Sequence, residues 1–247
     1  MTLQASLGRI MRLVGGGVLD LLYPPACVLC EGDGADPHFC PTCRDALIGE
    51  ASPRCPRCAA KVGPFAFLDN GCTHCSKEEF FFDNVLCLGP YAGALREAIL
   101  KMKQPHGELL AECLGAFWAK AREKELRAVA ADLIVPVPLH WRRRLSRRYN
   151  QSEALAQRLG QDIGVACTSA CLRRTRATPF QTQQTPAQRR ENLRKVFQGY
   201  GSQSGKTILL IDDVLTTGST ASEAARALKK QGARRVVVAV LARSDSI

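Results

Sequence analysis

The sequence predicts an α/β fold, a twisted and mostly parallel sheet flanked by helices, behind a small N-terminal cysteine-rich module. Three observations predict it. Residues 208–220, ILLIDDVLTTGST, pass from four aliphatics through two acids into a loop of small and hydroxylated residues, and a helical stripe follows. That is the strand–loop–helix unit of a parallel sheet buried on both faces. Aliphatic runs at 85–91, 132–139 and 235–241 alternate with segments of helical period, the pattern of βα repeats. Eight of the twelve cysteines form four CxxC pairs ahead of residue 76.

Composition sets the outer limits. A chain of 247 residues holds one large domain, or a domain with a small module, and 46% hydrophobic residues is ordinary for a globular protein. Net charge is +11, and between Trp141 and Lys195 thirteen Arg and Lys stand against Glu153, Asp162 and Glu191. Nearly the whole excess therefore lies in one segment. Such a field attracts a pyrophosphate group or nucleic acid; the alternative is a solvated, arginine-rich surface. The apolar run at 14–22 is broken by Asp20 and three glycines and is followed by no small-residue cleavage site, so a signal peptide is not expected. No run approaches the roughly 20 apolar residues of a membrane span. A cytoplasmic location is expected.

In order along the chain, Leu3, Leu7, Ile10, Val14, Val18, Leu21 and Leu22 recur at near-helical spacing and predict a docking helix over 1–22; Gly15–Gly17 weakens any free-standing helix there. The cysteine module is expected over 23–80. Cys27 and Cys30 are followed after nine residues by Cys40 and Cys43; Cys55 and Cys58 are followed after thirteen by Cys72 and Cys75. Each CxxC turn presents two thiolates to one metal, and two turns complete a tetrahedron, so the spacing points to one or two structural Zn²⁺ ions, with sequential pairing the simplest assignment. Four thiolates close the coordination sphere, which leaves no open position for catalysis. His38 and His74 adjoin thiolates and are alternative ligands.

The second domain is expected over 81–247. It opens with a strand at 85–91. Leu95, Ala98, Ile99 and Met102 stripe a helix over 94–103 that ends on Lys101 and Lys103 before Pro105. A longer helix over 108–127 is expected to turn Leu109, Leu110, Leu114, Phe117 and Ala121 inward. The aliphatic strand in 132–139 must end at Pro136 and Pro138, which cannot continue a ladder. An arginine-rich loop, 142–148, follows at the strand's C-terminal end, where open α/β sheets bind ligands, and a helix begins near Asn150. Residues 171–197 read as a mobile polar loop with basic ends and a helix from Pro186. Residues 200–207 are one residue short of a Walker A loop, but a strand follows at once where that motif needs a helix, so a nucleoside triphosphatase is rejected. Residues 221–231 form a helix with Ala221, Ala224, Ala225 and Leu228 on one stripe, and 235–241 supply the last strand. Cys87, Cys113, Cys167 and Cys171 share no spacing and read as small packed residues.

The loop Thr216, Thr217, Gly218, Ser219 and Thr220 meets a helix N-terminus, whose unpaired N–H groups and positive dipole end favour an anion. Asp212 and Asp213 suit sugar hydroxyls or Mg²⁺ instead. These thirteen residues resemble the 5-phosphoribosyl-1-pyrophosphate (PRPP) motif of type I phosphoribosyltransferases. The resemblance implies Asp212 and Asp213 on the ribose hydroxyls and Mg²⁺, as the catalytic pair, and the 216–220 loop on the 5-phosphate. Lys101 and Lys103 at a helix end, the VPVP strand and Arg148-Tyr149-Asn150-Gln151, with Arg147 where glycine is usual, resemble the ComF group of phosphoribosyltransferase-like proteins, whose layout the cysteine module completes. That likeness places Lys101, Lys103 and Arg148 on the pyrophosphate side and makes the segment with Arg173, Arg176, Gln181, Arg190 and Asn192 a loop that closes over PRPP. ComF proteins are associated with natural competence. Three readings follow: a Mg²⁺-dependent phosphoribosyltransferase with an unidentified acceptor, a DNA-uptake or DNA-utilisation factor that binds PRPP, single-stranded DNA or both without turnover, and a PRPP-sensing regulator. DNA-uptake machinery is a partner of the second.

Overall fold

A computed structural model describes residues 26–33, 38–48, 52–66, 68, 71–139, 149–175 and 196–245. The docking helix expected over 1–22, the arginine-rich loop with Arg148, and the loop segment 176–195 lie outside the described residues. The chain divides into two compact units, Met1–Leu47 and Ile48–Ile247. The first contains Cys27, Cys30, Cys40 and Cys43, and helix α1 (Pro41–Ile48) starts between the last two. The second contains the other four paired cysteines together with the sheet.

Among the described residues the sheet has four strands, all parallel, in the order β1 (Asn84–Pro90), β6 (Arg235–Arg243), β5 (Thr207–Leu215), β2 (Leu133–Pro136). The two central strands are the nine-residue aliphatic runs, and every residue of β6 after Arg235 is buried, as a strand covered on both faces requires. Strand β2 stops at Pro136 because the proline nitrogen has no hydrogen to donate. Its outer side is closed by Cys167, which bridges Ile134 in parallel. A separate antiparallel pair joins β3 (Leu172–Arg174) to β4 (Phe197–Gly199).

Helices fill the crossovers: α2 (Gly93–Met102), α3 (Glu108–Ala121), α4 (Glu123–Ala128), α5 (Gln151–Ile163) and α6 (Ser219–Lys230). The helix expected over 108–127 is interrupted at Arg122, whose φ of −128° and ψ of 32° leave the helical region. Leu109 is turned outward and 63% exposed, while Leu110, Leu114 and Trp118 form the buried stripe. Helix α3 packs on α5. On α6, Ala221, Ala224, Ala225 and Leu228 are all buried in one cluster with Ile208, Leu210, Val236 and Val238 of the central strands, so small side chains bring this helix close to the sheet. Tyr200 to Lys206 connects β4 directly to β5 with no helix between, as the rejection of a Walker A loop requires. Among the described residues, no helix is long and apolar enough to cross a membrane.

Candidate functional site

Strand β5 runs through both aspartates and ends at Leu215, so the acids and the 216–220 loop share the C-terminal edge of a central strand. Asp213 is 7% exposed. Its Oδ2 receives Lys103 Nζ at 3.0 Å and Gln151 Nε2 at 3.0 Å, and its Oδ1 receives the Val214 N–H at 2.6 Å. Asp212 Oδ1 receives Ser152 Oγ at 3.1 Å and the Asp213 N–H at 2.9 Å. Among the described residues no hydrogen bond reaches Asp212 Oδ2. The pair thus divides its work. Asp213 is held inside a network of protein donors, while Asp212 Oδ2 receives no donor from the described residues. Burial, and then the neighbouring Asp213 carboxylate, push the Asp212 carboxyl up to about 7.

Two segments reach this pair. Lys103 is the residue after α2, and Gln151 and Ser152 open α5. Asn150 caps α5 by accepting the Ser152 N–H at 3.2 Å, and its Nδ2 donates to Val137 O at 3.3 Å just beyond β2. Buried Tyr149 donates its hydroxyl to Met102 O, which fixes the α2 end that carries Lys103. The Tyr-Asn-Gln segment is therefore a clamp between a lysine helix end and the strand that stops at Pro136. Of the two lysines named from sequence, Lys103 turns to the acids, whereas Lys101 is exposed. Gln151 and Ser152 were not among the expected site residues. Gln151 belongs to the Arg148–Gln151 segment that carried the family resemblance, and the signal for Ser152 was its place at a helix N-terminus directly after the strand-end loop.

Beyond β5, Gly218 precedes α6 with φ at +79°, a conformation glycine adopts without strain. Thr217 Oγ1 and Ser219 Oγ lie 2.9 Å apart, and the Ser219 N–H points to Thr217 Oγ1 at 3.4 Å. Thr216 is exposed, Thr217 and Thr220 are half-buried, and Gly218 and Ser219 are buried. The first-turn N–H groups of α6 have no acceptor within the helix, so the loop offers hydroxyl and amide donors together at the positive end of a dipole. The end of one strand thus carries both a carboxylate pair and an anion-accepting loop. That combination suits a ligand carrying both hydroxyls and a phosphate.

The paired cysteines gather as spacing suggested: Cys27, Cys30, Cys40 and Cys43 in one group, and Cys55, Cys58, Cys72 and Cys75 in another, with all thiol sulfurs of a group within 4.8 Å. Neither His38 nor His74 belongs to either group. Ligands about 2.3 Å from one tetrahedral metal lie about 3.8 Å apart. Cys55–Cys75 and Cys72–Cys75 are each at 3.8 Å, Cys58–Cys72 at 3.5 Å, and Cys30–Cys40 at 3.8 Å. Both donor sets therefore fit Zn²⁺. Burial opposes ionisation of Cys55, but N–H groups of Cys58, Arg57 and Cys72 outweigh it and bring the thiol down to about 7. Cys27 is likewise brought to about 6 against the cost of its burial. Of the unpaired cysteines, Cys113 and Cys171 are buried, and burial raises the thiols of Cys87 and Cys167 to about 11, so these four are packing residues.

Comparison with known proteins agrees with this layout. A phosphoribosyl transferase domain matches residues 151–246 and a double zinc ribbon domain matches residues 18–87. The chain is 30% identical over 229 residues to DNA utilization protein YhgH of Salmonella typhimurium, covering 91% of this chain and 99% of that protein. It is 28% identical over 226 residues to Competence protein F of Haemophilus influenzae, covering 88% and 96%. Among solved structures, purine phosphoribosyltransferase from Pyrococcus horikoshii Ot3 matches with a TM-score of 0.34 and 22% identity over 52% of this chain and 69% of that one. With its two cysteine tetrads, its parallel sheet and full-length likeness to those relatives, the chain belongs to the ComF family of double-zinc-ribbon, phosphoribosyltransferase-like proteins.

Proposed function

We propose that this protein binds PRPP with Mg²⁺ at the C-terminal edge of β5 and serves DNA uptake or utilisation. The observation that carries the ligand reading is the placement of Asp212, whose Oδ2 receives no donor from the described residues, and of the 216–220 loop at the C-terminal end of one strand. Asp212 meets a ribose hydroxyl or Mg²⁺, Asp213 holds Lys103 and Gln151 in place, and Thr216 to Thr220 receive the 5-phosphate. Lys103, with Lys101 and Arg148, supplies positive charge on the pyrophosphate side. Bound Mg²⁺ neutralises charge on the pyrophosphate; the chain's own contribution is positioning and a fixed field of donors. The cysteine tetrads hold structural zinc. The protein acts in the cytoplasm.

The DNA role rests on two supports: the names of relatives that match along nearly their whole length and the basic surplus between Trp141 and Lys195. Single-stranded DNA is the polyanion that this segment suits; of its two aromatics, Trp141 and Tyr149, Tyr149 is 7% exposed with its hydroxyl on Met102 O and does not serve for stacking. The test is calorimetric titration of zinc-loaded protein with PRPP and Mg²⁺, beside the D212N/D213N double variant. Saturable binding that disappears in the variant is the expected result. Undiminished affinity in the variant overturns the site. Pyrophosphate release on incubation with PRPP then separates a transferase from a protein that binds PRPP without turnover.

A further inference from the structure

The second cysteine tetrad and the 216–220 loop are joined by an arginine that neither the zinc nor the phosphoribosyl motif includes. Arg243, the last residue of β6, is 4% exposed. Its Nε donates to Cys58 O at 3.1 Å, and its Nη1 donates to Leu215 O at 3.1 Å and also to Thr216 O and Ser244 O. One guanidinium thus bonds the backbone of a metal-ligating cysteine and the backbone at the entrance of the loop. We propose that Arg243 is a positioning residue that transmits metal occupancy of the Cys55/Cys58/Cys72/Cys75 tetrad to the 216–220 loop, so that this tetrad governs affinity for a phosphate-bearing ligand. The ligand part of the proposal rests on the PRPP reading above; the coupling of metal to loop does not.

Charge explains why the arginine suits its place. A buried cation is costly unless an opposite charge offsets it, and each of these Arg243 acceptors is a neutral carbonyl. Four thiolates around one divalent ion carry a net charge of −2. Three arginines bond the backbone of this ribbon: Arg243 at Cys58, Arg54 at Ala59 O at 2.8 Å, and Arg57 at Cys75 O at 2.7 Å and Glu78 O at 2.6 Å.

A second contact runs alongside. Phe80 packs on the second cysteine cluster and Arg57 lies over its ring at 5.7 Å. Phe80 stacks on Phe82 with centroids 4.5 Å apart, and the two rings back Gly218, where an added Cβ would stand 3.1 Å from Phe80 Cε1 and 3.5 Å from Phe82 Cζ. The Phe81 N–H between them donates to Ser222 Oγ at 3.1 Å in the first turn of α6. The ribbon therefore supports the loop at its entrance through Arg243 and at its helix end through the phenylalanines.

The experiment uses the full chain, zinc-loaded, as wild type, R243K, C58S/C72S and the combined variant. Zinc content, amide hydrogen exchange across 215–222, and calorimetric affinity for ribose 5-phosphate with Mg²⁺ are measured for each. R243K keeps the charge but cannot fork between Cys58 and the loop. It is expected to retain both zinc ions, to lose about tenfold in exchange protection of the loop and to bind the ligand about tenfold more weakly. C58S/C72S is expected to lose one zinc ion and the same loop protection. The combined variant should lose no more than either parent, because both changes break one connection. Wild-type loop exchange in C58S/C72S, or losses that simply add in the combined variant, would overturn the proposal. Failure of wild type to bind ribose 5-phosphate or PRPP would defeat the ligand reading alone, and the exchange data would still decide the coupling.

Discussion

Raising the pH from 6 to 8 should strengthen PRPP binding about tenfold, and Asp212 should account for the change. Its carboxyl stands at about 7 because burial and the adjacent Asp213 disfavour the charge, yet a ribose hydroxyl or Mg²⁺ is best held by the ionised form. If only that form binds, affinity is reduced by a factor of about 11 at pH 6, about 2 at pH 7 and about 1.1 at pH 8, a span of roughly 1.4 kcal/mol. At pH 6 binding should release about 0.9 proton from this group. Calorimetry in two buffers of different ionisation enthalpy counts those protons. The ligand's phosphates titrate near pH 6 themselves, so the informative quantity is the proton count of the wild type minus that of D212N. Lys103 favours ionisation of Asp212, so K103M should move the midpoint upward. For folding of the unliganded protein the direction is opposite. The folded carboxyl keeps its proton above its ordinary value of 3.8, so its contribution to stability is complete below about 4 and is lost as pH rises through about 7. Equal proton counts in wild type and D212N would refute the assignment of Asp212 as the ionising ligand group.

Two further variants test the loop and the basic segment. Gly218→Ala places a Cβ at a φ of +79° and 3.1 Å from Phe80 Cε1, and should cost about 1–2 kcal/mol in chemical denaturation while weakening ligand binding; unchanged values in both would mean the loop re-forms without this turn. Reversing the charges of Arg142, Arg143 and Arg144 should weaken binding of single-stranded DNA and make the salt slope shallower by about 2, at roughly 0.7 for each phosphate that is no longer neutralised; an unchanged slope would place the DNA surface elsewhere.

The parallel sheet, the acid pair and the cysteine groups were legible because each is written in a contiguous run whose chemistry allows few alternatives. ILLI cannot be solvated, and CxxC at these spacings has one common use. The inward face of the second long helix was misread because Leu109 fits a 3.6-residue stripe as well as Leu110 does; only the position of α5 decides that Leu110, Leu114 and Trp118 face the core. Gln151 and Ser152 escaped for a related reason. Their role arises from the tertiary approach of α5's first turn to β5, some sixty positions away, and amide and hydroxyl side chains at a helix start read locally as capping residues.

Arg243 shows this limit most fully. In sequence it is one charged residue just past an aliphatic run, in neither the cysteine motif nor the acid–loop motif. Its burial follows from the ribbon packing where β6 stops: Ala59 joins the main core cluster, Val85 donates its N–H to Pro56 O at 3.0 Å, and Cys58 offers its carbonyl. Spacing identifies a metal site and periodicity identifies a strand, but neither states that the two share a wall. A contact of that kind belongs to neither motif. In the coupling proposed above, it is also the route by which a coordinatively closed metal centre, with no chemistry of its own to perform, shapes the 216–220 loop through backbone carbonyls.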